Sequence, residues 1–252
     1  MGTNSKIEWT NHTMNYWVGC EKVSVGCKNC YAERNMKQFG RNFDELVRTK
    51  KSTWDQHKKW KAGERVFVNS WSDFFDSRVP TEWRSEAWEL MESRPDLIWM
   101  ILTKRDEIMH HYCVREKQNQ IPAHIWLGVS LENMDYIDRV ESLICVNAAI
   151  RFISVEPQLG PIDLSGYLTS ERYEDNSRDE YGQHIDWVIC GGESGPDRRL
   201  MPFNYAMGLH AQCVRAGVPL FFKQWDFDDG KGLIHMPTID GKVYNELPER
   251  TI

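Results

Sequence analysis

The chain has 252 residues, 41% of them hydrophobic and 27% charged, so a normal globular core is expected, in one large α/β domain or two small ones. No apolar run approaches the ~18 residues of a membrane helix, and Met1 to Lys6 holds no apolar signal core. A net charge of -6 argues against a broad, non-specific grip on nucleic acid but leaves room for a local basic strip, and seven cysteines, an odd number, fit a reducing cytoplasm better than a disulfide framework.

Short apolar runs, each ending in polar residues, alternate along the chain with stretches of helical spacing. Asn15-Tyr16-Trp17-Val18-Gly19 is the first and leads into Cys20. Arg65–Ser70, Leu97–Leu102, Ile125–Ser130, Arg151–Glu156, Trp187–Cys190 and Val218–Lys223 follow in order. Runs of this length fit strands buried on both faces of a parallel sheet. Between them, Trp83, Ala87, Leu90 and Met91 share a helical face. So do Met134, Ile137, Val140, Leu143 and Ile144, and later Tyr205, Leu209, Cys213 and Val214. The repetition predicts an α/β fold, a (β/α) barrel of the TIM type, incomplete because no eighth strand is evident. An open doubly wound sheet is the alternative, disfavoured because nothing marks a chain reversal or a Gly-rich dinucleotide turn. Residues 1–252 read as a single domain. Residues 165–184 read as a polar, acidic insertion on a βα connection, and 226–252 as a loose tail rich in Asp, Gly and Pro.

In (β/α) barrels the chemistry gathers where the strands end. Here those ends supply Cys20, Asn69-Ser70 with Asp73, Thr103-Lys104, Ser130 with Glu132, Ser154 with Glu156, Gly192-Glu193, and Gln224. Any one of them is read equally well as a helix cap, but their recurrence in register favours a site. The spacing Cys20-x6-Cys27-x2-Cys30 falls on the first βα loop, with Gly19 and Gly26 to let it fold tightly and helical spacing resuming at Tyr31. Three thiolates can hold three irons of a [4Fe–4S] cluster and leave the fourth open, whereas structural zinc takes four protein ligands. Zinc with a distant fourth ligand such as His12 is the alternative. Trp17, Val18, Val23, Val25 and Tyr31 are expected to shield the loop. Cys113, Cys145, Cys190 and Cys213 are scattered among mostly apolar neighbours and read as buried thiols. Arg48, Lys50, Lys51, Lys58, Lys59 and Lys61, with Trp54 and Trp60 between them, form either a strip for flipped or single-stranded nucleotides or an ordinary solvated helix face.

The three-cysteine loop resembles that of the radical S-adenosylmethionine (SAM) enzymes. Its spacing departs from theirs, being six residues then two instead of three then two. Asn29 stands before the third cysteine where an aromatic is usual, and Tyr31 follows it. Gly191-Gly192-Glu193 comes after the sixth run, not the second. More of the chain is similar to a phage-associated three-cysteine family, often catalogued as a domain of unknown function. The blocks that carry this likeness are Ile7-Glu8-Trp9-Thr10, Trp17-Val18-Gly19-Cys20, Asn29-Cys30-Tyr31-Ala32-Glu33, Phe67-Val68-Asn69-Ser70, Ser154-Val155-Glu156-Pro157 and Gly191-Gly192-Glu193-Ser194-Gly195.

Some members of that family are linked to hypermodification of DNA thymidine. The resemblance therefore implies a radical SAM enzyme with a [4Fe–4S] cluster on Cys20, Cys27 and Cys30 and SAM as second cofactor. It would be an isomerase that rearranges an amino-acid-modified thymidine in phage DNA. It would work in the host cytoplasm with a flavodoxin-like reductant. On that implication Asp73, Glu132 and Glu156 are candidates for the SAM amine and ribose, and Lys104 for its carboxylate or a phosphate. Glu193 is a further amine or substrate contact, and Asn69, Ser70, Ser130 and Ser154 line the same site. Lys58, Lys59, Arg198 and Arg199 would meet the phosphates of the substrate. Two other classes fit the residues: a nucleic-acid-binding module with a structural metal, and a divalent-metal nuclease built on Asp73, Glu132 and Glu156.

Overall fold

The computed structural model describes residues 5–169, 183–227 and 232–249. Eight strands form one sheet in which spatial order follows chain order. They are β1 (His12–Met14), β2 (Arg65–Val68), β3 (Ile98–Thr103), β4 (Ile125–Ser130), β5 (Arg151–Val155), β6 (Trp187–Gly191), β7 (Leu220–Phe227) and β8 (Gly232–His235). β1 to β7 are parallel throughout, and β8 turns back antiparallel on β7. β1 and β8 do not pair among the described residues, so the sheet is an open, curled half-barrel. Helices α1 (Tyr31–Gln38), α2 (Thr81–Glu92), α3 (Asp106–His111), α4 (Asp138–Ile144) and α5 (Phe203–Ala216) lie in the connections.

Successive side chains on a strand point to opposite faces, and this alternation builds two cores. Val66, Val68, Trp99, Ile101, Leu127, Val129, Ile153, Val155 and Val188 pack outward with the helices. Phe67, Met100, Trp126, Phe152, Trp187, Ile189 and Phe221 point into the concave side, where Trp9 joins them with Ile7 packed beside it. The same parity, continued toward the strand ends, turns polar. Phe67 leads to Asn69, Trp126 to Ser130, Phe152 to Ser154 and Glu156, Trp187 and Ile189 to Glu193, and Phe221 to Lys223. The half-barrel thus has an aromatic floor and a polar mouth.

The first strand differs from expectation. It lies upstream of the run Asn15–Gly19, within which Trp17–Val18 pairs antiparallel with Val47–Arg48 outside the main sheet. Side-chain amides end the ladder there. Asn69 Oδ1 accepts from the Tyr16 backbone N–H at 3.0 Å, and Asn15 Oδ1 from that of Trp71 at 2.8 Å. Among the expected helical faces, Ala87, Met91, Val140, Leu143, Ile144, Leu209 and Cys213 are buried, whereas Met134 and Val214 are exposed.

Residues 226–252, read as a loose tail, carry β8 and a small hairpin, Thr238–Ile239 with Lys242–Val243. Ile239 is buried, and Tyr244 O and Glu246 O accept from Phe222 N (2.7 Å) and Trp187 Nε1 (2.9 Å). Residues 228–231 and 250–252 lie outside the described residues, as do 170–182 of the polar insertion. The insertion's start is anchored, since Leu168 is buried and Tyr167 O accepts from Ile185 N at 2.8 Å. Among the described residues no helix is long and apolar enough to cross a membrane.

Candidate functional site

The cysteine loop is fixed by backbone contacts at both ends. Gly19 N donates to Trp71 O at 3.1 Å, and Cys20 N to Phe43 O at 2.8 Å. Gly19 has φ +101°, and a Cβ there would stand 2.0 Å from the Glu45 carbonyl oxygen, so both conformation and space demand glycine. Ser24 opens a single 3-10 turn, Val25–Cys27, and Cys30 stands just before α1, its carbonyl accepting from Arg34 N at 3.1 Å. Ala32 and Met36 of α1 pack with Val18 and Phe43, and Cys20, Cys30 and Trp71 lie against them. All three cysteines are half-buried free thiols, and all three open on a cavity of about 770 Å³ at the C-terminal ends of the strands.

Asn69, Ser70, Asp73, Lys104, Ser130, Ser154, Glu156 and Glu193 line that cavity with them. Its apolar base includes Phe67, Leu102 and Trp9. Val23 and Val25, expected to shield the loop, are 43% and 48% exposed, while Trp17 and Val18 belong to the packed interior.

Three of the four candidate carboxylates are fully engaged in bracing the cysteine loop. Asp73 Oδ1 accepts from Thr103 Oγ1 (2.7 Å) and Phe75 N (2.9 Å), and Oδ2 from Lys104 N (3.0 Å). Arg105 Nη1 lies 3.1 Å from the same Oδ2 and 3.6 Å from Cys20 Sγ. Glu132 is completely buried and absent from the cavity wall. Its Oε1 accepts from Ser24 Oγ at 2.7 Å and its Oε2 from Arg139 Nη1 at 2.8 Å, while Lys104 Nζ stands 3.6 Å away. A Cβ on Gly26 would come within 2.4 Å of Glu132 Oε1, so a larger residue there would have to displace this carboxylate. Glu193 accepts from Arg199 N (2.8 Å), from the Arg199 guanidinium and from Asn29 Nδ2 (2.9 Å). Arg199 also donates to Val25 O at 3.0 Å, and Asn29 to Asp197 O at 2.7 Å. The loop after β6 is thereby clamped to the cysteine loop.

Glu156 differs from these three. Its Oε1 is buried 2.9 Å from Lys223 Nζ without an aligned hydrogen bond, and its Oε2 is 3.4 Å from Ser154 Oγ. Asn69 likewise has a buried Nδ2 with no hydrogen-bond partner.

Several residues stand elsewhere than their place in the sequence suggests. Glu132 stands behind the loop and cannot touch a ligand directly. The basic strip does not reach the cavity: Lys58 pairs with Asp55 at 2.6 Å, neither Lys58 nor Lys59 lines the wall, and Trp54 and Trp60 are buried in the outer core. Arg198 is tied to Asp226, and Arg199 to Glu193. His12 hydrogen-bonds Glu64 at 2.8 Å and stacks on Trp60 at 4.5 Å, away from the cysteines. Cys145 is exposed, while Cys113, Cys190 and Cys213 are buried.

Among the described residues no three His, Cys, Asp or Glu side chains converge tightly enough to hold one metal ion. A nuclease centre on Asp73, Glu132 and Glu156 would need that convergence, and two of those carboxylates are bound by arginines. Thiolates that each take a different iron of a cube need not meet at one point. Arg105, Arg139 and Lys223 were not among the residues the sequence singled out, and Asn29 was noted there only for its place before Cys30. Lys223 was accessible by parity from Phe221, whereas Arg105 and Arg139 act through contacts that only the fold creates.

Burial, reinforced by the Asp73 carboxylate, pushes the Cys20 thiol up to about 12 against the opposing pull of Arg105, so ligation must release its proton. Burial alone would raise the carboxyl of Glu193, but hydrogen bonds from Arg199 and Asn29 hold it below the ordinary range. Asp76 is held down likewise, with Arg78 and Arg105 overcoming its burial. Both groups contribute stability that is fully present above the unfolded carboxylate pKa of about 4 and is lost as pH falls through the lowered folded values. The melting temperature of the metal-free protein is therefore expected to drop below about pH 4. Glu193→Gln should show a shallower fall in the same window, and an identical profile would remove Glu193 from the brace.

Solved structures of spore photoproduct lyase share this architecture. The enzyme complexed with dinucleoside spore photoproduct superimposes with a TM-score of 0.50 at 13% identity, covering 92% of this chain and 70% of that one. A double mutant with bound AdoMet and the dinucleoside spore photoproduct gives 0.49 at 12%, with the same coverage. No curated protein matches the chain. At this level of identity the likeness is one of fold alone. Residues 4–248 match the family described as "Protein of unknown function (DUF5131)", and the chain belongs to it.

Proposed function

We propose that this protein is a radical SAM enzyme whose cluster is held by Cys20, Cys27 and Cys30. The reading is carried by three free, half-buried thiols on one braced loop, all opening on a strand-end cavity. The donor set fits an iron–sulfur cluster, since thiolates are its ordinary ligands and three of them leave one position open. A bound cluster with SAM would supply one-electron cleavage of a carbon–sulfur bond and a 5′-deoxyadenosyl radical that takes hydrogen from the substrate.

The chain's own residues do the positioning. Asp73 acting through Arg105, Glu132 through Ser24, and Glu193 through Asn29 and Arg199 hold the loop at fixed height over the cavity. Glu156, ion-paired with Lys223, and Asn69, whose Nδ2 makes no hydrogen bond, line the same cavity and would meet the amine and ribose hydroxyls there. Lys104 and Lys223 are the cations for a carboxylate or phosphate, and Ser130 and Ser154 line the wall between them. The aromatic floor excludes water from below.

The substrate in this reading is an amino-acid-modified thymidine of phage DNA and the reaction is an isomerisation, with a flavodoxin-like protein as electron donor. Support for the substrate comes from the sequence blocks shared with the phage-associated family. The dinucleoside complex of spore photoproduct lyase points to the same class of ligand on this fold. A base inside a duplex cannot reach the recessed loop, so the nucleotide must be flipped out or presented free.

Anaerobic reconstitution tests the metal. The wild-type chain should become brown and hold about four irons. Colourless protein with one tightly bound zinc would overturn the proposal.

A further inference from the structure

We infer that Arg105 is a positioning residue that sets the reduction potential of a cluster ligated by Cys20, an inference that rests on the iron–sulfur reading above. Its side chain is 9% exposed, and its guanidinium makes four contacts at the start of the cysteine loop. Nη1 lies 3.6 Å from Cys20 Sγ and 3.1 Å from Asp73 Oδ2; Nη2 lies 3.0 Å from Asp76 Oδ2 and 3.1 Å from Glu21 O. Asp73 and Asp76 are buried, and Asp76 is also gripped by Arg78 at 2.7 Å. The Cys27 sulfur, by contrast, has the neutral Ser24 hydroxyl 3.6 Å away.

Taking up one electron makes a cluster more negative. An N–H directed at a ligand sulfur and a fixed positive charge beside it favour the reduced form, and burial strengthens both effects. The two carboxylates would oppose reduction, and the same guanidinium neutralises them. Loss of Arg105 removes a favourable bond and one of the positive charges that balance the two carboxylates, and both changes make reduction harder. Neutralising Asp76 while keeping Arg105 makes it easier. A side chain that merely packed the local structure in place would not produce opposite signs.

The test is a redox titration of the reconstituted full chain, followed by electron paramagnetic resonance, with dithionite as the one-electron donor. Arg105→Gln should lower the reduced-to-oxidised ratio at a fixed applied potential roughly tenfold, equal to about 59 mV for a one-electron couple. Arg105→Lys keeps the charge but loses the planar fork and should shift the same way by less. Asp76→Asn should shift the other way. If Arg105→Gln fails to fold, the Lys and Asn variants still decide the matter. Loaded clusters with unmoved potentials in those two, or shifts of one sign, would overturn the inference while leaving the cluster intact. A wild-type chain that takes up no cluster would overturn the iron–sulfur reading itself and this inference with it.

Discussion

Cys27→Ala is expected to reduce iron incorporation at least tenfold while leaving the fold intact. Cys27 ends the 3-10 turn and is half-buried, and it takes no part in the apolar packing that Cys20 and Cys30 join beside α1. Its removal therefore creates no core cavity, and the metal-free variant should unfold within about 0.5 kcal/mol of wild type. Two remaining thiolates cannot hold a cube that needs three. Cys113→Ala is the opposite control. That thiol is fully buried, and burial pushes its pKa up, so it stays protonated and inert. This variant should be destabilised yet load iron normally. The paired measurement is iron per chain against a urea unfolding curve. Full iron loading of Cys27→Ala would show that the trio is not the ligand set.

The largest effect on stability is expected at Trp187. Its ring is completely buried at the centre of the concave layer, with centroids 5.7 Å from Phe152 and 6.3 Å from Trp9, Trp126 and Phe221. Its Nε1 donates to Glu246 O at 2.9 Å and so ties the C-terminal segment to the sheet. Trp187→Ala removes this packing and leaves a void that the stiff neighbouring strands cannot fill, at a cost of about 3–5 kcal/mol. The edge-on aromatic contacts add about 0.5–1.5 kcal/mol per pair beyond area alone. Phe39→Ala, at a ring that is 69% exposed, should change stability by about 0.5 kcal/mol or less. Denaturant midpoints at unchanged slope measure both. A cost below about 1 kcal/mol for Trp187→Ala would mean that the concave layer is not a cooperative core.

The repeating strands were legible because parallel strands covered on both faces leave unbroken apolar runs, as at Ile125–Ser130, where expectation and structure coincide. The first strand was not, because its residues His12-Thr13-Met14 are short and partly polar, while the more apolar Trp17-Val18 was diverted into a side ribbon by the amides of Asn15 and Asn69. β8 escaped for a related reason. An antiparallel edge strand reading Gly232-Leu233-Ile234-His235 needs only one covered face and leaves a weak pattern.

The cavity wall could be read from strand parity, since polar residues an even number of steps beyond an inward apolar side chain sit at the mouth. What each carboxylate does there could not. Asp73, Glu132 and Glu193 look identical to Glu156 in sequence. Their partners Arg105, Arg139 and Arg199 engage them in ways that only the fold reveals, and those partners turn three apparent ligand contacts into braces.

Incubating the anaerobically reduced, cluster-loaded protein with SAM and analysing the nucleosides formed tests the open coordination position most directly. The account predicts 5′-deoxyadenosine, absent when dithionite is withheld and absent from Cys27→Ala. SAM recovered unchanged beside an intact, reducible cluster would contradict it.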